Sequence, residues 1–504
     1  MKKIFTILSL ASLVVLSSCE LNLYPEDGYN EGNVKVDQEA GESQYSTRED
    51  MKGLRDAIYS SWTKDIQEKG YLDWLVYAEC RADNAYGGNP GTGELMAIEA
   101  NKQDGENKNV VRDWDWYQGQ VSNCNNIICN IDRIKEADET LTDKEYREWK
   151  SEAYCWRAWN LFQMSYIWGD IPLVNSIPPA ITADNIEEVY DEYFPARTAI
   201  KDVHSQIIKE LEYACENAPA PVSDNKHLFT RAFAHGMLAR IYAEPNAGLQ
   251  DWGKVAEHCA AVEAFGYELV DDYGQMWAYD ETDAVRNTKE SIFEINWTKS
   301  NGNWVWMMFH RNAYSPNDSY SWIKWITPSR DLIAAYDAEG DTERKNACIT
   351  FDEAIWSNYY PGDNYAFMHK VPTNASSIIL MRLGEIYLLH AEALAMTGDF
   401  AGAATYVNKI RERAGLKAVA VPASQEAAIV FILKERRLEL AFEGFRFYDL
   451  LRHGFERTKA IHDAMPQQDS YWQPRFPLTE ETVFMPIPQT ALDNNPSLVQ
   501  NAGY

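Results

Sequence analysis

Residues 387–414 read YLLHAEALAMTGDFAGAATYVNKIRERA, two apolar-periodic runs separated by Thr397-Gly398-Asp399. One helix ends at Thr397-Gly398-Asp399 and another starts at Phe400, so the stretch predicts an antiparallel helix pair. Small Ala391 and Ala403 fall where the two helices approach most closely. A second pair follows the same plan at 234–242 and 252–265, with an insertion after Pro245. Outward from these, helical periodicity covers 51–68, 119–138, 143–168, 186–217, 231–244 and 251–265. It returns at 378–397, 400–414, 423–443 and 445–458. Residues 87–109, opening on Gly-Gly-Asn-Pro-Gly-Thr-Gly, read as loop, and 271–377 is irregular apart from one strand at 291–297.

The pair at 387–414 resembles a tetratricopeptide repeat, with Tyr387 and Ala391 at its bulky and small positions and Gly398-Asp399-Phe400 at its turn. Two such pairs favour a mainly α protein, a tetratricopeptide-like α-solenoid with long inserted loops and a little β structure.

Lys2 and Lys3, the apolar run Ile4–Leu16 and small residues up to Cys19 read as an export signal of residues 1–18. The run is shorter than the roughly 20 residues of a membrane span. Leu16-Ser17-Ser18-Cys19 resembles the lipobox of bacterial lipoproteins, which implies lipidation of Cys19 and a polar leader over 19–46. A single domain is expected over 47–504, with helical parts at about 47–270 and 378–504 around the loop-rich 271–377. The 504 residues hold 47 Lys and Arg against 76 Asp and Glu, a net of -29. Removing residues 1–18 takes away two lysines and leaves 45 against 76, or -31. So acidic a surface repels a phosphate backbone, which makes nucleic acid a poor partner. Seven cysteines remain after Cys19, with no Cys-x-x-Cys spacing, and most read as buried thiols.

Catalytic signatures fail one by one. His-Glu-x-x-His and Gly-x-Ser-x-Gly are absent, and the phosphate-loop spacing of Gly88–Gly93 continues with Glu94 where a lysine is needed. His390-Ala391-Glu392 has deaminase spacing without a Pro-Cys-x-x-Cys partner and lies in an apolar helix, so it reads as a packed histidine. The acidic runs 280–283 and 337–341 lack the alternating ligand pattern of a calcium loop and read as solvated charge, with calcium left open and no other cofactor expected. Carboxylates are numerous enough for a glycosidase pair, which keeps a helical glycosidase as an alternative.

Aromatic residues make up 13% of the chain, with 17 Trp and 29 Tyr, more flat side chain than a core of this size ordinarily needs. One cluster holds Trp304, Trp306, Tyr314, Tyr320 and Trp322 among Asn301, Asn303, Arg311, Asn312, Asn317 and Asp318. A second holds Trp74, Arg81, Asp83, Asn84 and Tyr86, with Trp114, Trp116 and Tyr117 beyond the Gly-rich loop. A ring face covers the C–H side of a sugar while amides, carboxylates and guanidinium groups reach its hydroxyls, so these are the candidate ligand contacts. Trp297 ends an apolar strand and reads as core, and Trp306 alternates with Trp304, so only one of that pair need face outward.

Four separated motifs then agree in order. Residues 152–158 (EAYCWRA) lead to 168–173 (WGDIPL); 382–395 reads RLGEIYLLHAEALA; 435–454 reads ERRLELAFEGFRFYDLLRHG; the chain closes on 485–488 (MPIP), Asn495-Pro496 and 500–504 (QNAGY). This set resembles the SusD/RagB family. The motifs also read as scaffold: Arg436 and Arg437 have Glu435, Glu439, Glu443 and Asp449 within reach, Gly444 permits a sharp turn, and Gly169–Pro172 ends a helix. The resemblance implies a SusD-like fold and a lipoprotein on the outer-membrane surface of a Gram-negative bacterium, anchored through Cys19. It implies capture of an oligosaccharide or polysaccharide for a SusC-like TonB-dependent transporter, without catalysis. Capture of peptide or glycopeptide on the same scaffold is the second alternative.

Overall fold

The structure is a computed structural model describing residues 44–88, 92–181, 185, 187–315 and 324–504. Cys19 and nearly all of the leader lie outside the described residues, as do Tyr320 and Trp322. The chain divides into a unit of Met1–Gln44 with Pro179–Ile186 and a unit of Tyr45–Pro178 with Glu187–Tyr504. The second unit holds all the elements below.

Its helices include α1 (Arg48–Asp65), α2 (Lys108–Ile128), α3 (Asp143–Trp168), α4 (Ile200–Asn217), α5 (Arg231–Ala243) and α6 (Trp252–Glu263), then α7 (Arg330–Glu339), α8 (Leu383–Met396), α9 (Phe400–Arg413), α10 (Gln425–Glu439), α11 (Arg446–Arg452) and α12 (Phe455–Gln468), with shorter ones between them. Packing runs from α2 to α3, α4, α5 and α6, and α6 then meets α8, which carries α9 and α10. Two blocks far apart in sequence thus become one stack of helix pairs, the mainly α fold expected from the sequence.

Local chemistry explains the pairs. At α8–α9, Ala391 and Ala403 are buried, Gly398 adopts φ +93°, and the Asp399 side chain accepts from Gly402 N at 2.8 Å. On α3 a Thr142–Glu145 capping box starts the helix, and Trp156, Trp159 and Trp168 fill the interior, the first two stacked at 5.3 Å. Gly169 ends that helix at φ +75°, where a Cβ would press on the Phe484 ring.

The differences from the expected elements have local causes. A helix at Gly93–Glu99 lies inside the stretch read as loop, and α2 starts at Lys108, ahead of the 119 read from the sequence, because the Asn107 side chain accepts from Asn109 N and Val110 N. Residues 378–382, read as the first turn of a helix, form a strand that pairs antiparallel with Ser291–Ile295. Two more short antiparallel pairs lie in the middle region: Ala85–Gly87 with Ile326–Pro328, and Ile349–Asp352 with Tyr365–Met368. The motif at 435–454 is scaffold as expected, with one change of partners. Arg436 takes Asp449 through two bonds of 2.8 Å, but Arg437 reaches Asn84 and Asp331. Glu439 is instead claimed by Arg344, Arg382 and Arg413.

Candidate functional site

The sequence placed Trp74, Arg81, Asp83, Asn84 and Tyr86 beside a ligand; the structure places them under the surface, with their side chains turned to protein partners. Trp74 lies in the α-turn Asp73–Leu75 between two short π-helical segments, Gln67–Leu72 and Val76–Cys80; Arg81 follows the second, Asp83 and Asn84 come next in a turn, and Tyr86 sits on the strand Ala85–Gly87. Trp74 stacks on Tyr448 at 4.9 Å. Arg81 is fully buried, donates to the carbonyls of Thr482 and Val483, and lies 4.1 Å from the Phe447 ring. Asp83 accepts two bonds from Arg446, at 2.7 and 2.9 Å. Burial alone would raise its carboxyl, but Arg437 and Arg446 outweigh that and hold it at about 2. Asn84 donates to Glu79 and accepts from Arg437. Glu79 in turn is pushed up to about 7 by burial, against donation from Asn84 and from Gly444 N and Phe445 N. Trp114, Trp116 and Tyr117 are buried on α2.

Tyr86 is a hub. Its ring stacks on Tyr359 at 4.7 Å, and its hydroxyl donates to Asp469 at 2.7 Å while accepting from the backbone N and Nη1 of Arg330. What it holds lies nearer the surface: half-buried Arg330, and over it the exposed ring of Tyr471.

The other cluster keeps its rings partly in solvent. Trp304 and Trp306 are both half-buried, because residues 305–308 form a 3₁₀ turn and the strand-like alternation read from sequence does not apply. The turn is pinned by Gln67, which accepts from Trp304 N at 2.8 Å, and by the Asn303 amide, which donates to the carbonyls of Thr373, Asn374 and Ser376. Trp297 is core, as read. Tyr314 is half-buried, with Tyr279 edge-on at 6.2 Å and the Lys299 ammonium 4.1 Å from its ring centre. Sequence reasoning missed Tyr279, Tyr471 and Arg330; a Tyr alone in a polar loop carries no periodic signal, and Arg330 opens a helix that was not foreseen.

Two cavities complete the surface. An open cleft of about 790 Å³ is lined by Lys69, Arg112, Asp115, Trp116 and Gln489 among others, with acids and bases mixed. An interior void of about 50 Å³ lies among Trp74, Tyr166, Arg436 and Tyr448. Arg436 Nη1 and Tyr448 Oη have no protein partner and border this void, which suits a few buried waters.

The described residues hold no group of His, Cys, Asp or Glu arranged for a metal, and no helix among them is long and apolar enough to cross a membrane. His390 packs on Tyr406 and bonds Glu263 at 2.7 Å, the packed histidine expected. Five of the seven described cysteines are buried; Cys215 is half-buried and Cys129 exposed.

Residues 363–504 match the model of the SusD family, and 37–243 match that of a family described as starch-binding associating with outer membrane. "SusD-like protein P38" of Formosa agariphila is 24% identical, the match spanning 99% of this chain and 98% of the relative. "SusD-like protein P2" of the same organism is also 24% identical, over 92% of this chain and 94% of its own. Among solved structures, surface glycan-binding protein A from Bacteroides fluxus superposes with a TM-score of 0.73 at 22% identity, over 91% of this chain and 100% of its own. A laminarin-binding SusD-like protein gives 0.71 at 20%, again over 91% and 100%.

Proposed function

From the premise that the chain belongs to the SusD/RagB family, we propose that it is a surface lipoprotein that binds an oligosaccharide or polysaccharide and hands it to a SusC-like TonB-dependent transporter. The observation that carries the reading is the set of half-exposed rings, Trp304, Trp306 and Tyr314 with Tyr279, mounted on loops that are hydrogen-bonded to a buried helical scaffold. Such rings present flat apolar faces to sugar C–H groups without a large ordering cost, because the loops are already fixed. Tyr320 and Trp322, outside the described residues, stay candidate ligand contacts on sequence grounds. Trp74, Arg81, Asp83, Asn84 and Tyr86, buried against protein partners, are not part of the half-exposed set. Capture on the outer membrane fits the family model at 37–243 and the lipobox at Cys19, with residues 1–18 as signal, 19–46 as tether and 47–504 as the binding domain.

The test is affinity electrophoresis of the purified protein through a panel of polysaccharides, with reducing-sugar release measured in parallel. Retardation without release is expected, and Trp304→Ala with Tyr314→Ala should abolish it while the circular dichroism spectrum stays unchanged. Release of sugar would mean a glycosidase, and binding to peptides alone would mean peptide capture. Labelled palmitate incorporated into the wild type and lost in Cys19→Ser checks the anchor.

A further inference from the structure

Arg330 opens α7 directly after Ser329, whose hydroxyl caps the helix by accepting from Leu332 N. Its guanidinium lies against two rings, 4.2 Å from the centre of Tyr360 and 3.9 Å from that of Tyr471. Nη1 donates to the Tyr86 hydroxyl at 3.3 Å, and Nη2 to the Tyr359 carbonyl. Among the described residues no carboxylate comes within 4.0 Å of it. Asp469 is set off behind the Tyr86 hydroxyl that it accepts from. The group is therefore a cation held by neutral partners, packed against two rings with its side chain only partly covered.

The molecule has a net charge of -29, and several core arginines meet carboxylates directly, as Arg382 does with Glu290, Glu439 and Glu443, whereas buried Arg81 donates only to carbonyls. Lys299 is held in a similar way elsewhere in the loop region: it lies over Tyr314 and donates to the Glu281 carbonyl, again with no carboxylate within 4.0 Å among the described residues. A planar guanidinium packed against rings offers its edge, and that edge matches the two oxygens of a carboxylate or sulfate. Pre-set orientation lowers the entropy cost of making those bonds. The acidic surface around it repels a dense polyanion, but charges beyond a screening length of about 8 Å matter little, so an isolated acidic sugar is admitted.

We propose that the captured glycan carries an anionic substituent, a uronic carboxylate or a sulfate ester, received at the free edge of Arg330 beneath Tyr471. Tyr86 is the positioning residue and Asp469 moderates the affinity. The inference rests on the glycan reading above.

Isothermal titration of the whole protein with a neutral galactan oligomer carrying one galacturonate residue, the same oligomer with that carboxylate reduced to an alcohol, and the oligomer carrying one sulfate ester instead tests it. At least one acidic oligomer should bind about ten-fold tighter than the reduced one, and which of them does so separates carboxylate from sulfate. The advantage should shrink between about 50 and about 300 mM NaCl. Arg330→Gln should remove it, Arg330→Lys should keep part of it by keeping the charge, and Asp469→Asn should enlarge it. Equal binding of acidic and reduced oligomers sinks the proposal while leaving glycan capture standing. So does an acid preference that survives in folded Arg330→Gln, or, should that variant not fold, one that Asp469→Asn leaves unchanged. If these oligomers and every polysaccharide of the panel go unbound, the glycan reading falls with it.

Discussion

Arg382 in the helical core and Arg330 on the loop surface are held in opposite ways. In the core, Arg382 donates to Glu290 at 2.7 Å, to Glu439 at 2.6 Å and to Glu443 at 2.8 Å, all buried. Arg413 and Arg344 return to Glu439 from other elements. On the surface, Arg330 and Lys299 are held by tyrosine rings, a hydroxyl and backbone carbonyls. A charge locked among carboxylates fixes how elements cross and is closed to anything else. A charge held by neutral groups keeps its electrostatic demand for a ligand.

The largest effect expected from that contrast is in the core. Arg382→Ala leaves three carboxylates around an empty site, and breaking a buried pair from one side costs about 3–5 kcal/mol. Urea melts should show it as a lower midpoint or as a failure to fold. A loss under about 1 kcal/mol would mean that the core charges are as loosely coupled as surface ones.

Next comes Gly444, in the turn between α10 and α11. It adopts φ +86°, and a Cβ there would collide with the Trp74 indole. Gly444→Ala should cost about 2 kcal/mol or more, since strain and collision add. Its effect should appear in thermal melts and in the near-ultraviolet dichroism of Trp74 stacked on Tyr448. A variant as stable as the parent would show that the π-turns under the aromatic surface are slack.

A middle-sized effect concerns pH. Burial pushes Glu79, Glu99 and Glu244 up to about 7, from a value near 4.5 in the unfolded chain. The folded protein then binds more protons than the unfolded one across that interval, so stability is fullest below about 4.5 and falls as pH rises through about 7. Asp83, held at about 2, works the other way and loses its contribution as pH falls from about 3.8 through about 2. Stability should therefore peak on the acid side of neutrality, and Glu79→Gln should flatten the slope between pH 5 and 7. An unchanged slope would place the protons elsewhere.

The same contrast marks what was legible in the sequence. The helix pairs were readable because caps and apolar spacing are local; Gly398-Asp399 announces its turn within three residues. Asn107 as the cap of α2 was hidden, because it sits at the end of a Gly-rich stretch with no apolar period before it. For the site, the aromatic excess in 271–377 was plain, but the direction of each ring was not. Whether Tyr86 faces a ligand or Tyr359 depends on a strand pairing with 326–328, and whether Asn84 is free depends on Arg437, 353 residues away. Arg330 had no signal at all, since an arginine without an acid partner is visible only once the fold has gathered its neighbours.

The smallest expected effect bears hardest on the comparison. Lys299 gives its ammonium to the Tyr314 ring and one carbonyl, and exposed cation–π contacts contribute only about 0.5–1 kcal/mol. Lys299→Met keeps most of the stem that covers the ring and removes the charge, so stability should change by less than about 0.5 kcal/mol. Binding should respond differently: affinity for the acidic oligomer should fall about two- to five-fold and that for the reduced oligomer should hold, because a screened, exposed charge acts weakly but with a definite sign. A stability loss above about 1 kcal/mol would put Lys299 with the core arginines as a structural cation. In that event the division between locked and available charge would shrink to Arg330 alone.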